Sequence, residues 1–243
     1  MLSQFSNVFI FGMVAGIATI LGMLLVLFFE KPARKYSTLL ISFAAGALLA
    51  VAFNDLIPES LHLNTNALFF VLAGFFLFYL IEHFVVLHTC REEHCPRHKR
   101  LGLIAIFGLF FHSLIDGFII GVGFGVDFKI GLVATLGVIL HEFPEGITTL
   151  SILLHSKVKR RKAIMQTILV ALATPIGAII SFFLLKGVSE NFLGILLAFA
   201  AGSFLYIASA DLIPEIHEKF NIFNALAMFL GILALLVLSI ILG

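Results

Sequence analysis

Two short stretches set imidazoles and carboxylates inside otherwise apolar sequence: HSLIDG at residues 112–117 and HEFPEG at residues 141–146. In each, a histidine precedes a carboxylate by four residues and a glycine closes the stretch, pairing His112 with Asp116 and His141 with Glu145. Residues i and i+4 share one face of a helix, so each stretch presents an imidazole and a carboxylate side by side. Glu142 follows His141, turned about 100° around the helix axis, near enough to join the rim of the same site. Two facing helices would then bring two imidazoles and two or three carboxylates to one point. That donor set suits Zn²⁺ and, less selectively, Fe²⁺, Mn²⁺ or other first-row dications.

The surroundings make these residues expensive. The run GLVATLGVIL precedes the second stretch and ITTLSILL follows it. An ionisable group at the centre of a lipid-embedded helix costs a few kcal/mol and is a functional candidate by default. Carboxylates near one depth also repel one another, and a bound dication removes that repulsion together with the cost of burial. Pro144 takes one hydrogen bond out of its helix and frees a carbonyl near Leu140, which is tolerated where backbone lines a cavity. Pro175, in ATPIGAII, is expected to act likewise.

The elements that must carry these residues follow from composition. The 243-residue chain is 61% hydrophobic and 12% charged, with a mean hydropathy of +1.15, too little polar sequence to clothe a soluble domain. It reads as an all-α, polytopic membrane protein forming one membrane domain over residues 1–243. A span needs about 20 apolar residues, and eight segments qualify: 5–29, 37–60, 66–88, 101–126, 129–154, 163–186, 191–213 and 221–242. The opening MLSQFSN has no Lys or Arg, unlike a signal peptide, so the first segment is expected to be retained.

Charge orients the spans. Lys31, Arg34 and Lys35 lie in the first loop; Arg91, Arg97, Lys99 and Arg100 in the third; Lys157, Lys159, Arg160, Arg161 and Lys162 in the fifth. The even-numbered loops hold only Lys129, Lys186 and Lys219. Basic loops stay in the cytoplasm, so both termini are expected outside it.

A repeat frames the central pair. FAAGALLAVAFNDLIPES at 43–60 and FAAGSFLYIASADLIPEI at 199–216 align at an offset of 156 residues. Segments two and seven run in opposite directions through the membrane, so the copies are inverted, a hallmark of secondary transporters. Segments one to three then pair with six to eight around four and five. Asp55 and Glu59 fall near the outer mouth and Asp211 and Glu215 near the inner one, as candidate stations on an ion path; Glu82 and His83, near the inner end of segment three, are further candidates. The loop at 89–100, with its flank, carries His88, Cys90, His94, Cys95 and His98, a candidate cytoplasmic metal site that matches no closed zinc module. Two cysteines in one loop give no disulfide framework.

The HSLIDG and HEFPEG pair resembles the signature of the ZIP family of divalent metal transporters. The eight segments, outer termini, flanking repeats and a His-bearing third loop are similar to that family too, and the short loops resemble its prokaryotic, GufA-like members. The resemblance implies a homodimeric importer of Zn²⁺, with Fe²⁺, Mn²⁺ or Cd²⁺ as further cargo, in a prokaryotic inner membrane. It implies an elevator-like motion of segments one, four, five and six against two, three, seven and eight. The family's ligand positions fall on His112, Ser113, Asp116, His141, Glu142 and Glu145. Ser113 stands where Asn is common, and Thr174 where some members carry a bridging Glu. One principal ion is therefore expected, held by His112, Asp116, His141 and Glu145, as transported substrate and not as a cofactor; no nucleic-acid partner is expected.

Two other readings compete. HEFPE is superficially like the HExxH helix of zinc metalloproteases, but position i+4 is Glu145 where a second histidine would be a ligand. A proton-coupled transporter of a non-metal substrate would use the carboxylates as relays, but has little need of two matched His–carboxylate turns. The expectation is a transporter and not an enzyme.

Overall fold

The computed structural model describes residues 2–89, 97–156, 158–218 and 221–242, and among them every regular element is helical. Lipid offers backbone groups no hydrogen bonds, so a chain this apolar closes them within helices. Helix α1 covers Leu2–Phe28. Helix α2 comprises Glu30–Val51, a π-helical turn Ala52–Leu56 and the continuation Ile57–Leu63. Helix α3 is Ala67–Thr89, α4 Arg97–Val126, α5 Phe128–His155 and α6 Arg160–Leu184. Helix α7 joins Glu190–Tyr206, a π-helical turn Ile207–Leu212 and Ile213–Glu218, and α8 is Ile222–Leu242.

Seven of these helices are long and apolar enough to cross a membrane; in α3 the apolar stretch Ala67–Ile81 is shorter. The tight turn between α4 and α5 is held by Asp127, whose side chain accepts from the Ile130 backbone N–H at 2.7 Å. Ser189 caps α7 in the same way through the Phe192 N–H. Such caps satisfy amide groups that the first helical turn leaves open. Pro144 and Pro175 sit inside α5 and α6, which continue as α-helix across them.

The two π turns fall at matching places in the repeated sequence, each just ahead of the proline in DLIPE, Pro58 and Pro214. A proline has no N–H to donate and its ring crowds the preceding turn, so a wider turn accommodates it.

Packing sorts the helices into two sets. In one, α1 packs on α5 and α6, and α4 on α5 and α6; in the other, α2 packs on α8 and α3 on α7. Glycines let the backbones touch. A Cβ on Gly117 of α4 would collide with the Thr174 carbonyl of α6, and one on Gly177 with the Leu114 carbonyl. Between α1 and α5 the same exchange links Gly146 to the Thr19 carbonyl and Gly22 to that of Phe143. Without a hydrophobic drive between helices in lipid, such close approach is how they associate. Large apolar side chains point outward, including Phe69, Phe229 and Ile240, which suits a surface solvated by acyl chains.

Candidate metal centre

Near the middle of α4 and α5, the helical spacing does what it predicts. His112 Nε2 lies 3.4 Å from Asp116 Oδ2 one turn along α4, and 3.7 Å from Glu145 Oε2 on α5. His141 Nε2 lies 3.3 Å from the same Asp116 oxygen. The two imidazole rings meet edge to face, 5.6 Å between centroids. His112, Asp116, His141 and Glu145 each offer one ligand atom, all within 4.8 Å of one another.

The atoms around this group aim it. His141 Nδ1 donates to the Gly137 carbonyl at 2.9 Å, which fixes the ring with Nε2 facing Asp116. An imidazole anchored through its other nitrogen is the usual support for a metal ligand. Ser113 donates its hydroxyl to Glu145 Oε1 at 3.1 Å, which turns Glu145 Oε2 toward His112. Asp116 Oδ1 is buried and has no hydrogen-bond partner among the described residues. A buried acceptor without a donor is costly, and a cation in the cluster would relieve it.

Exposure is uneven across the group. Asp116 is 1% exposed and His141 3%, whereas Glu145 reaches 8% and the His112 side chain 19%. The cluster opens on its His112 side. Aromatic rings from the second set of helices abut both histidines: Phe204 of α7 stands 6.1 Å from His141, and Phe78 of α3 stands 6.5 Å from His112.

Glu142 behaves differently from its neighbours. It is fully buried, but both carboxylate oxygens are taken by hydroxyls: Thr19 of α1 on Oε2, and Thr174 of α6 on Oε1 at 2.5 Å. Thr174, at the position where a bridging carboxylate would stand, is thus a partner of Glu142. Sequence reasoning missed Thr19; its signal was a lone hydroxyl in the apolar run GIATILG.

The remaining candidates are scattered. Asp55, in the π turn of α2, is buried and accepts from the Ser239 hydroxyl of α8, while its Oδ2 has no partner among the described residues. Glu59 pairs with the exposed His62 at 4.0 Å. Asp211 lies in the π turn of α7 and Glu215, half-buried, one turn beyond it. His83 stacks on Tyr79 of its own helix, where Glu82 also lies. His88 lies on α3 and His98 on α4, while Cys90, His94 and Cys95 lie outside the described residues.

Comparison with known proteins points the same way as the geometry. The chain is 26% identical over 245 residues to zinc transporter zipt-7.1 of Caenorhabditis briggsae, covering 74% of this chain and 62% of that protein. It is 28% identical over 218 residues to zinc transporter ZIP13 of Pongo abelii, covering 83% of this chain and 65% of that one. With human zinc transporter ZIP4 it shares 33% identity over 119 residues, 49% of this chain and 18% of the relative. The chain thus spans less than two thirds of the length of each of these relatives. The family model of the ZIP zinc transporter matches residues 86–239, a stretch that contains both motifs and the whole four-residue cluster, and the chain belongs to the ZIP zinc transporter family.

Proposed function

We propose that the protein carries a divalent cation, Zn²⁺ foremost and Fe²⁺, Mn²⁺ or Cd²⁺ as further cargo, across the membrane through the cluster of His112, Asp116, His141 and Glu145. One observation carries this reading: two imidazoles and two carboxylates converge within 4.8 Å at the middle of two apolar helices. Two nitrogens and two oxygens match the four-coordinate preference of zinc. Ser113 positions Glu145 and takes no place among the four.

The direction in this reading is import, and the charge of the loops supplies its orientation in the membrane. With the basic loops in the cytoplasm, α4 runs outward and α5 inward, so His112 and Glu145 form the cytoplasmic end of the cluster. Those are its two more exposed members, His112 most of all, which supports access to the cluster from the cytoplasmic side past Phe78. The cargo-bearing set α1, α4, α5 and α6 moves against α2, α3, α7 and α8, in a homodimer in a prokaryotic inner membrane with both termini outside. The matched π turns and the paired packing of α2 on α8 and α3 on α7 support an inverted repeat around α4 and α5. Asp55 and Glu59, and Asp211 and Glu215, are the outer and inner stations.

The protease alternative is disfavoured by the bonds of Glu142. An HExxH helix needs that glutamate free to act on metal-bound water, whereas here two threonine hydroxyls occupy it.

The deciding experiment is metal flux into proteoliposomes, comparing the unaltered protein with His141→Ala and Glu145→Ala. Flux of zinc that both substitutions abolish is the expected result; unchanged flux in both would remove the site.

A further inference from the structure

A threonine buried in a membrane helix ordinarily gives its proton to a carbonyl one turn back in its own helix. Thr135 does so to Gly131 at 2.7 Å and Thr167 to Ala163 at 3.0 Å, while the buried Thr149 hydroxyl has no partner among the described residues. Thr19 and Thr174 depart from that habit, and both depart to the same acceptor, Glu142. The three side chains come from α1, α6 and α5, and all are fully buried. Each hydroxyl has one proton to give and each serves a different carboxylate oxygen.

The closing glycines of the two motifs make this possible. Gly146 lies where a Cβ would strike the Thr19 carbonyl, and Gly117 where one would strike that of Thr174. Each motif thus brings its own threonine-bearing helix to backbone contact at the very residue whose hydroxyl reaches Glu142.

We propose that Thr19 and Thr174 form a clasp that withdraws Glu142 from the ion cluster, and that they thereby determine which cation the site prefers. The proposal rests on the reading of the cluster as an ion site. With Glu142 held, the ion meets two nitrogens and two carboxylates, a set suited to four-coordinate zinc. With Glu142 released, a third carboxylate joins, and the extra oxygen favours six-coordinate, oxygen-preferring Mn²⁺ over Zn²⁺. Thr19 and Thr174 touch no ion; they are positioning residues that act through Glu142.

The test is calorimetric titration of the full chain in detergent with Zn²⁺ and with Mn²⁺ separately. Loss of one hydroxyl donor is expected to lower the Zn²⁺/Mn²⁺ affinity ratio about tenfold in Thr19→Val. Thr19→Ser, which keeps the hydroxyl, restores the original ratio. The double variant Thr19→Val/Glu142→Gln also returns to it, because the added carboxylate is gone. Thr174→Val removes the other donor, lowers the ratio in the same direction, and carries the test if Thr19→Val does not fold. An unchanged ratio in folded Thr19→Val or Thr174→Val overturns the clasp, as does a shift that persists in the double variant. Failure of the unaltered protein to bind either ion overturns the ion-site reading itself, a distinct outcome.

Discussion

Asp116 of α4 meets His141 of α5 at 3.3 Å through one carboxylate oxygen, while its other oxygen, equally buried, has no partner among the described residues. The same Oδ2 is also 3.4 Å from His112. Asp116 therefore touches both imidazoles and, with the His112–Glu145 approach at 3.7 Å, joins the two His–carboxylate turns.

Removing Asp116 should cost more than removing any support around the cluster. Loss of a residue that merely orients a metal ligand costs about 10–100-fold in affinity. Asp116→Ala should weaken zinc binding by at least about a hundredfold on that scale. Equilibrium dialysis of the purified protein against Zn²⁺ reads this directly, and near-native affinity would exclude Asp116 as a ligand.

Zinc affinity should fall on acidification. The nitrogens proposed to hold the ion, Nε2 of His112 and of His141, can take either the metal or a proton, so binding would release protons. On acidification, protons compete with the ion for these nitrogens. Binding isotherms between neutral and mildly acidic pH should shift to weaker affinity, and His112→Ala should flatten that dependence.

Gly146 is where α1 and α5 touch, since a Cβ there meets the Thr19 carbonyl. Gly146→Val should force the helices apart and destabilise the fold by roughly 1–3 kcal/mol, the usual cost of overpacking. It should also loosen the hold of Thr19 on Glu142. A lowered thermal midpoint in detergent is the expected reading, and an unchanged midpoint would show that the crossing can relax.

Ser239 of α8 donates to buried Asp55 of α2, the described polar tie between those helices. Ser239→Ala removes the hydroxyl from which Asp55 Oδ1 accepts and should cost about 1–3 kcal/mol. Asp55→Asn in that background should recover part of the loss, because a neutral amide is cheaper to bury. Thermal unfolding of the single and double variants measures both.

Much of this protein was legible from residue spacing. Helical periodicity put His112 with Asp116 and His141 with Glu145, and the structure keeps both pairs near one point. The span at 129–154 appears as Phe128–His155 and that at 221–242 as Ile222–Leu242. The span at 37–60 is longer, Glu30 to Leu63, because the π turn carries the helix through Pro58 where apolarity alone marks an end. The repeated DLIPE was visible as letters, but nothing in them announced a π turn.

The sequence by itself determined the membrane class, the run of helices and the two His–carboxylate turns, because all three depend on neighbours within a turn or on the length of an apolar run. Only the tertiary structure decided that Glu142 bonds two threonine hydroxyls while its neighbour His141 joins the four-residue cluster. That outcome depends on Thr19 and Thr174, 123 and 32 residues away along the chain. Their hydroxyls reach Glu142 only where α1 and α6 cross at glycine contacts, and no local spacing encodes which helices will cross there.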